Sequence, residues 1–453
     1  GVGPVPAGAL LILAGGGYAM LGFPLDDLWH RVFGQDVTLW GPTHTMFFGG
    51  VITAACGAVI LLAEGAWSRG RRPFGRLRPL PAVLGAIFLF VATHALDEFN
   101  WGLPQYRQVW QPLLLAAFGA FGLVAARSLG GRGATATVLL AYLPLQLIEV
   151  VTIGVLGTTR PASILFVAEA VVVEAVMWRR SGIKAGALAG LGVGTLGFAA
   201  EYAWSQVGQP LPWHPALLPE AIPTAALAGV AGGTLAALAA AALTGRAARR
   251  GLAMALAAAG VLVALGVNAG IASEPPGETA TLALTNVRTT TVEGVRTRAA
   301  DLTVRLSRPD LGRDGNWAYV LGWQGGARYQ APLERHADGT LTSTAPVPIG
   351  GTWKSFVRLH KGRVEISTAI RMPPDRALGF TGFPARARVT RPLVRDTKLL
   401  QIERKDDGPL WAWTPAMLLV MGLNLTLLAL VGVTCVRAGR PAPTLAARAP
   451  APR

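Results

Sequence analysis

The chain has 453 residues, 52% of them hydrophobic and only 15% charged, with a mean hydropathy of +0.43. A soluble domain carries roughly a quarter charged residues, so the composition argues against a purely cytosolic globular protein. The net charge of +16 would suggest nucleic-acid binding, but here the positive charge clusters between apolar runs, as membrane topology demands. Cys56 and Cys435 both sit inside apolar runs, which leaves neither a disulfide framework nor a CxxC metal site.

A bilayer-spanning helix needs about 20 mostly apolar residues. About ten runs qualify: 3–23, 45–65, 80–96, 109–127, 134–157, 161–178, 185–205, 218–244, 252–273 and 410–436. No small-residue cleavage site follows the first run, so it reads as a retained helix. Basic residues fill every second connection. They are Arg69, Arg71, Arg72, Arg76 and Arg78; Arg127 and Arg132; Arg179, Arg180 and Lys184; and Arg246, Arg249 and Arg250. The stretch after 436 adds Arg437, Arg440, Arg448 and Arg453 with no acid. The positive-inside rule then predicts a multi-pass protein of the cell membrane with both termini cytoplasmic. The segment 438–453 is Pro/Ala/Arg low complexity and reads as a disordered basic tail.

Residues 274–409 differ. They hold 21 Lys+Arg against 14 Asp+Glu and no spanning run. Short alternating segments at 281–287, 302–306, 317–323, 353–359 and 364–370 alternate with Gly, Pro and Asp turns. The pattern predicts an extracytoplasmic β-sandwich between two spanning helices. Within it, the stretch 338–360 resembles small immunoglobulin-like modules found beside copper-handling and oxidase-assembly proteins. The fold expected is thus mainly α: a nine-helix membrane domain (1–273), an immunoglobulin-like β domain (274–409) and a final helix (410–437).

The six histidines are His30, His44, His94, His214, His336 and His360, and this topology puts none on the cytoplasmic side. Either extracytoplasmic metal chemistry or the shortness of the Arg-filled inner loops accounts for that. Asp26 and His30 are four apart, so on a helix they share one face. His44 begins the next helix after a Gly/Pro turn. One carboxylate and two imidazoles at adjacent helix ends can hold a divalent transition ion with coordination positions left open. The same residues could instead be interfacial polar groups flanked by the belt anchors Trp29 and Trp40. His336 and His360 read as ordinary surface residues of the β domain.

The stretch "FPLDDLWHRVFGQDVTLWGPTHTMFF" resembles the C subunit of the copper-dependent membrane monooxygenases, the particulate methane and ammonia monooxygenases. There a D-x-x-W-H, a D-T and a P-x-H lead into a spanning helix. Asp26, Trp29, His30, Asp36, Pro42 and His44 take those places in order, with one residue more between Asp36 and His44. The resemblance implies that Asp26, His30 and His44 bind metal. A second stretch, 94–104, is similar in offering His94, Asp97, Glu98 and Pro104. It departs from the family in the spacing of its acidic pair and in having Gln105 and Tyr106 where a further His belongs. His94 belongs either to that neighbouring position or to the first site. The likeness spans about residues 20–110.

Glu149, Glu169, Glu174 and Glu201 lie inside apolar runs, with Gln146, Tyr202 and Gln206 nearby and Arg160 in a short outer loop. An ionised carboxylate at that depth costs on the order of 2–3 kcal/mol, so these acids should face the bundle interior. Either a proton path or interhelical hydrogen bonding explains them.

By resemblance, the expected function is that of an oxygen-activating copper protein, a monooxygenase-like oxidoreductase subunit working with other integral membrane subunits. Zinc and iron suit the same ligands. The alternative is a copper-binding transport or oxidase-assembly protein without turnover. Cu(I) carriers favour thiolate and thioether ligands, and Met46 is the sole Met near the site.

Overall fold

In the computed structural model, residues 5–34, 39–69, 79–155, 165–246, 277–312, 317–325, 327–376, 379–400 and 409–439 are described. Helices α1 (Ala7–Phe33) and α2 (Pro42–Ser68) form an antiparallel hairpin. Small residues bring the two backbones together. A Cβ built on Gly15 would lie 2.6 Å from the Gly50 carbonyl oxygen, and one on Gly50 2.5 Å from that of Gly15. Between helices in lipid, such close approach supplies the packing that the hydrophobic effect cannot. At one end of the hairpin Glu64 accepts hydrogen bonds from the amides of Ala7 (3.1 Å) and Gly8 (2.9 Å), satisfying donors in the first turn of α1.

The chain continues through α3 (Pro79–His94), the single turn α4 (Asp97–Asn100), α5 (Trp110–Gly130), α6 (Ala134–Val155) and α7 (Val167–Met177). Next, α8 (Ile183–Gly192), a π-turn at Val193–Gly197 and α9 (Phe198–Gly208) run on as one rod. Helix α10 (Leu218–Leu243) packs along that rod by close approach, a Cβ on Gly190 falling 2.0 Å from the Gly229 carbonyl oxygen. A last helix, Trp413–Ala438, completes the bundle.

Among the described residues seven helices are long and apolar enough to cross a bilayer, which makes this a membrane protein. Three of the ten expected spans account for the difference. Helix α3 has 16 residues, about 24 Å at 1.5 Å per residue. The run 161–178 yields only the 11-residue α7, with 161–164 outside the described residues. The run 252–273 lies wholly outside them, as do Asp36, Arg160 and the tail from 440. In contrast, α1 extends ten residues past the expected end at 23. Its last turns are polar but still helical, and they carry Asp26 and His30.

The described basic residues Arg69, Arg127, Arg132, Arg179, Arg180, Lys184, Arg246 and Arg437 fall at or next to the helix ends of one face of the bundle. Contacts there tie Trp67 to the Leu243 carbonyl (3.1 Å), Arg127 to that of Met177 (2.7 Å) and Arg132 to that of Trp178 (3.0 Å).

The β domain sits on the opposite face. It begins with the hairpin of β1 (Thr279–Val292) and β2 (Val295–Leu306), turned by Glu293 and Gly294 at φ 48° and 77°. Two positive φ values in a two-residue loop match the twist of antiparallel strands. Then follow β3 (Trp317–Gln324), β4 (Ala327–Arg335), β5 (Leu341–Ser343), β6 (Val347–Pro348), β7 (Lys354–Lys361), β8 (Val364–Arg371), β9 (Arg388–Pro392) and β10 (Val394–Arg395). All pairings are antiparallel, in one path β10-β8-β7-β3-β4-β5-β2-β1-β9, with β6 added on β2. The edge strands β9 and β10 are separated by Leu393 alone, so the sheet rolls into a nearly closed barrel around Leu282, Val304, Val320, Trp353 and Val357. The expectation was an immunoglobulin-like sandwich of two facing sheets. Strand β4 pairs with both β3 and β5, which joins what would have been separate sheets.

The barrel is fastened to the α4–α5 and α9–α10 connections. Tyr319 donates to the Gly102 carbonyl (3.2 Å), Arg358 to that of Pro104 (2.5 Å) and Gln330 to that of Pro210 (2.6 Å). Leu211 packs among Trp317, Tyr319, Leu321 and Phe356. The end of α1, the start of α2 and the end of α3 lie on this same side of the bundle.

Candidate metal centre

The α1–α2 hairpin brings Asp26, His30 and His44 together. His30 Nε2 stands 3.3 Å from Asp26 Oδ2, and His44 Nε2 3.3 Å from Asp26 Oδ1. One candidate ligand atom from each lies within 4.8 Å of the others, all three residues half-buried. The carboxylate is thus flanked by an imidazole on each oxygen, with the two rings 6.0 Å apart.

Neighbouring groups fix this arrangement. Thr43 Oγ1 donates to Asp26 Oδ1 at 2.5 Å, and His30 Nδ1 lies 3.2 Å from the Gly34 carbonyl oxygen. A carbonyl only accepts, so Nδ1 carries the proton there. In the neutral ring Nε2 then presents a lone pair, and it points at a carboxylate oxygen. Two lone pairs facing each other call for a cation between them, either a second proton or a metal ion. A backbone carbonyl on the remote nitrogen is also how metal-bound histidines are oriented. Asp27 differs from Asp26 in every respect that matters here: it faces away, exposed, and pairs with Arg31 at 2.8 Å.

His94 does not join this group. It heads a second cluster with Asp97 and Glu149, again with candidate ligand atoms within 4.8 Å of one another. His94 Nε2 lies 3.6 Å from Glu149 Oε1, while Nδ1 contacts the Phe90 carbonyl oxygen at 2.8 Å. Burial pushes the Asp97 carboxyl up to about 7; His94 opposes that rise and Glu149 adds to it. Glu98, the other half of the acidic pair, turns away and accepts from the amides of Leu39 (2.7 Å) and Gln105 (3.1 Å). Glu149 was legible in the sequence as an acid in an apolar run, but nothing there indicated His94 as its partner.

The other acids divide. Glu174 is paired with Arg127 at 3.1 Å and accepts from Gly133 and Thr135, a bundle-fixing role. Glu169 and Glu201 lie deep in the bundle beside one another. In the β domain His336 is exposed, as expected, and bonds Thr342. His360 corrects the expectation of a surface residue: it is 2% exposed, stacked 4.2 Å from the Trp317 ring and 3.4 Å from the buried Glu365. Strand alternation at the barrel's bundle-facing side buries it. Burial holds its imidazole down at about 3, and burial likewise pushes Glu365 well above the usual carboxylate range.

An apolar cavity of about 550 Å³ runs alongside α2, lined by Trp40, Phe88, Phe99, Trp110, Phe121 and Leu428 among others. No family model, no curated protein and no solved structure matches the chain.

Proposed function

We propose that this chain is an integral membrane metal protein that binds one copper-type divalent ion through Asp26, His30 and His44. The observation that carries this reading is His30 Nε2 facing Asp26 Oδ2 across 3.3 Å while its Nδ1 is committed to the Gly34 carbonyl. The donor set fits such an ion: two imidazoles and a carboxylate suit copper, and zinc or iron as alternatives. When bound, the ion supplies an open coordination position for activating oxygen toward a C–H or N–H bond, as the resemblance to membrane monooxygenases implies. The chain's own residues prepare that position. Asp26 offsets part of the ionic charge, while Thr43 and Gly34 hold Asp26 and His30 in register. The apolar cavity beside α2 suits an uncharged, water-shunning reactant.

By the positive-inside rule we read the basic face of the bundle as the cytoplasmic end, and the β barrel and metal centre as extracytoplasmic. Protease added to spheroplasts should cut in the 307–316 turn and spare the 68–80 connection; the reverse pattern inverts the topology. Exposed apolar residues on α1 and α6, such as Leu13, Met20, Leu140 and Leu147, face lipid or further integral subunits.

A second reading is a copper carrier or assembly factor. The His94–Asp97–Glu149 cluster on the same side of the bundle favours it, because it offers an ion a second stop. Metal analysis of the detergent-purified chain and its His30→Ala variant decides between the outcomes. A retained, redox-active ion that falls at least tenfold in the variant supports the enzyme. An exchangeable Cu(I) supports the carrier. Equal metal content in both proteins removes both readings.

A further inference from the structure

Helix α7 is unusual in its depth. It has 11 residues, about 16 Å, and its C-terminal end lies at the basic face, where the Met177 carbonyl accepts from Arg127. Its N-terminus therefore begins about halfway through a hydrocarbon layer of roughly 30 Å. Phe166 precedes it at φ 67°, a left-handed conformation costly for a bulky residue, and is fully buried. The Phe166 amide donates to Glu201 Oε1 at 3.0 Å. Glu201 stands four residues after the π-turn, whose last residue, Gly197, leaves room for Glu169: a Cβ there would lie 2.7 Å from Glu169 Cγ. Glu169 and Glu201 are 2% and 4% exposed, and both side chains lie beside the turn that ends at Gly197. Among the described residues no basic side chain pairs with either.

Two neighbouring carboxylates out of water repel strongly, and a shared proton removes the repulsion. A polar stripe leads away from the pair. Tyr142, Gln146 and Glu149 follow one another on one face of α6 at spacings of four and three. Tyr142 is fully buried, and its ring stands 5.9 Å from that of Phe166. Its hydroxyl shares a 3.0 Å hydrogen bond with Thr93, whose own proton goes to the Leu89 carbonyl. Gln146 is 2% exposed and its Nε2 has no hydrogen-bond partner among the described residues, nor have Glu169 Oε2 and Glu201 Oε2. Buried polar atoms left this way in a membrane interior mark a path for protons or water.

We propose that Glu169 and Glu201 hold one exchangeable proton at mid-membrane, and that Tyr142 and Gln146 connect it to Glu149 and the extracytoplasmic side. The exchange is one for one: an O–H bond of the pair breaks as a solvent proton replaces the one that leaves, and the net charge is unchanged. This rests on the pair and the stripe and is independent of any ion at Asp26.

Infrared spectroscopy of the full chain in lipid nanodiscs tests it. The parent at neutral pH should show the C=O band of a protonated carboxylic acid, shifting on transfer to D2O. The Glu169→Gln/Glu201→Gln variant should lose the pair's share of that band and leave the shares of Asp97 and Glu365. If that variant fails to fold, Glu201→Gln alone should move the band, because the remaining acid loses its partner. Tyr142→Phe/Gln146→Leu should keep the band and slow its deuterium shift at least tenfold. Absence of the band in the parent, or its indifference to the Gln replacements, overturns the pair. An unchanged exchange rate in the Tyr142/Gln146 variant overturns the path. Metal content measured on the same samples separates this result from the metal centre, whose failure would leave the band intact.

Discussion

The two histidine–carboxylate clusters at the barrel end of the bundle use the same residue types in opposite proportion. At Asp26 one carboxylate is held between two imidazoles; at His94 one imidazole is held by two carboxylates. The first is built within one hairpin from residues at most 18 positions apart. The second needs α3, α4 and α6, with His94 and Glu149 55 positions apart. The first is oriented by a threonine and a backbone carbonyl, the second by a carbonyl on His94 and the Asn100 amide on Asp97. Burial pushes Asp97 in the second cluster up to about 7, so near neutral pH a proton competes for it with any ion. Two clusters of equal size are therefore not equal as metal sites. The imidazole-rich one suits a borderline transition ion, and the acid-rich one needs a proton or a harder ion to offset its charge.

The largest effects should come from the first cluster's own side chains. Asp26→Ala and His44→Ala should each lower metal affinity a hundredfold or more in equilibrium titration of the purified chain. His94→Ala should leave that affinity within about threefold. Comparable losses from His94→Ala would mean that the two clusters share one ion.

A substitution remote from both clusters tests whether the hairpin itself builds the first. Gly50→Val places a side chain against the Gly15 carbonyl and forces α1 from α2, at a cost of about 1–3 kcal/mol. Metal affinity at Asp26 should fall about tenfold or more, while cysteine cross-linking between positions 94 and 149 should be unchanged. Normal affinity in that variant would show the site to be independent of helix spacing.

The third histidine–carboxylate contact, His360 with Glu365, provides a buried reference without an open side. His360 is held down at about 3, against roughly 6.5 in an unfolded chain. Between those values the unfolded chain binds the extra proton, so His360's contribution to barrel stability should fall as pH drops from about 6.5 toward 3, by up to roughly 1.4 kcal/mol per unit, with the raised Glu365 acting in the opposite sense. Tryptophan fluorescence during urea unfolding of the full chain measures it. His360→Leu should flatten that slope and leave metal content unchanged. Loss of metal in this variant would show that the barrel reaches the membrane site.

The smallest contrast is the most discriminating. Thr43→Val removes the hydrogen bond that orients Asp26, and supporting bonds of this kind are worth about tenfold in metal affinity. Asp27→Ala breaks only an exposed pair with Arg31 and should change affinity less than twofold. Equal effects would reduce the cluster to a patch of interfacial polarity.

How much of this could be read from the residues depended on distance along the chain. The Asp26–His30 face follows from helical periodicity, and His44 from a short turn. Apolar run length found the spanning helices but stopped α1 at Phe23, because hydropathy falls where the helix becomes polar rather than where it ends. Alternation located the strands β1, β2, β3, β7 and β8, yet could not reveal that β4 joins two sheets into one, which depends on pairing. The split of Asp97 from Glu98 was equally hidden. Adjacent helical residues point about 100° apart, and only tertiary neighbours decide which of them faces His94.

The α1–α2 hairpin is fastened at both ends, by Glu64 on the amides of Ala7 and Gly8 and by Thr43 on Asp26. Both fastenings and the Gly15–Gly50 contact lie between residues 7 and 64. During synthesis, therefore, the pair can leave the translocation channel as one self-sufficient unit. Its three candidate ligands come together as soon as the second helix has emerged, before the barrel or α3 has been translated. On the proposed reading, ion loading would then precede assembly of the barrel. A ribosome-bound fragment ending beyond Ser68 should already retain the ion.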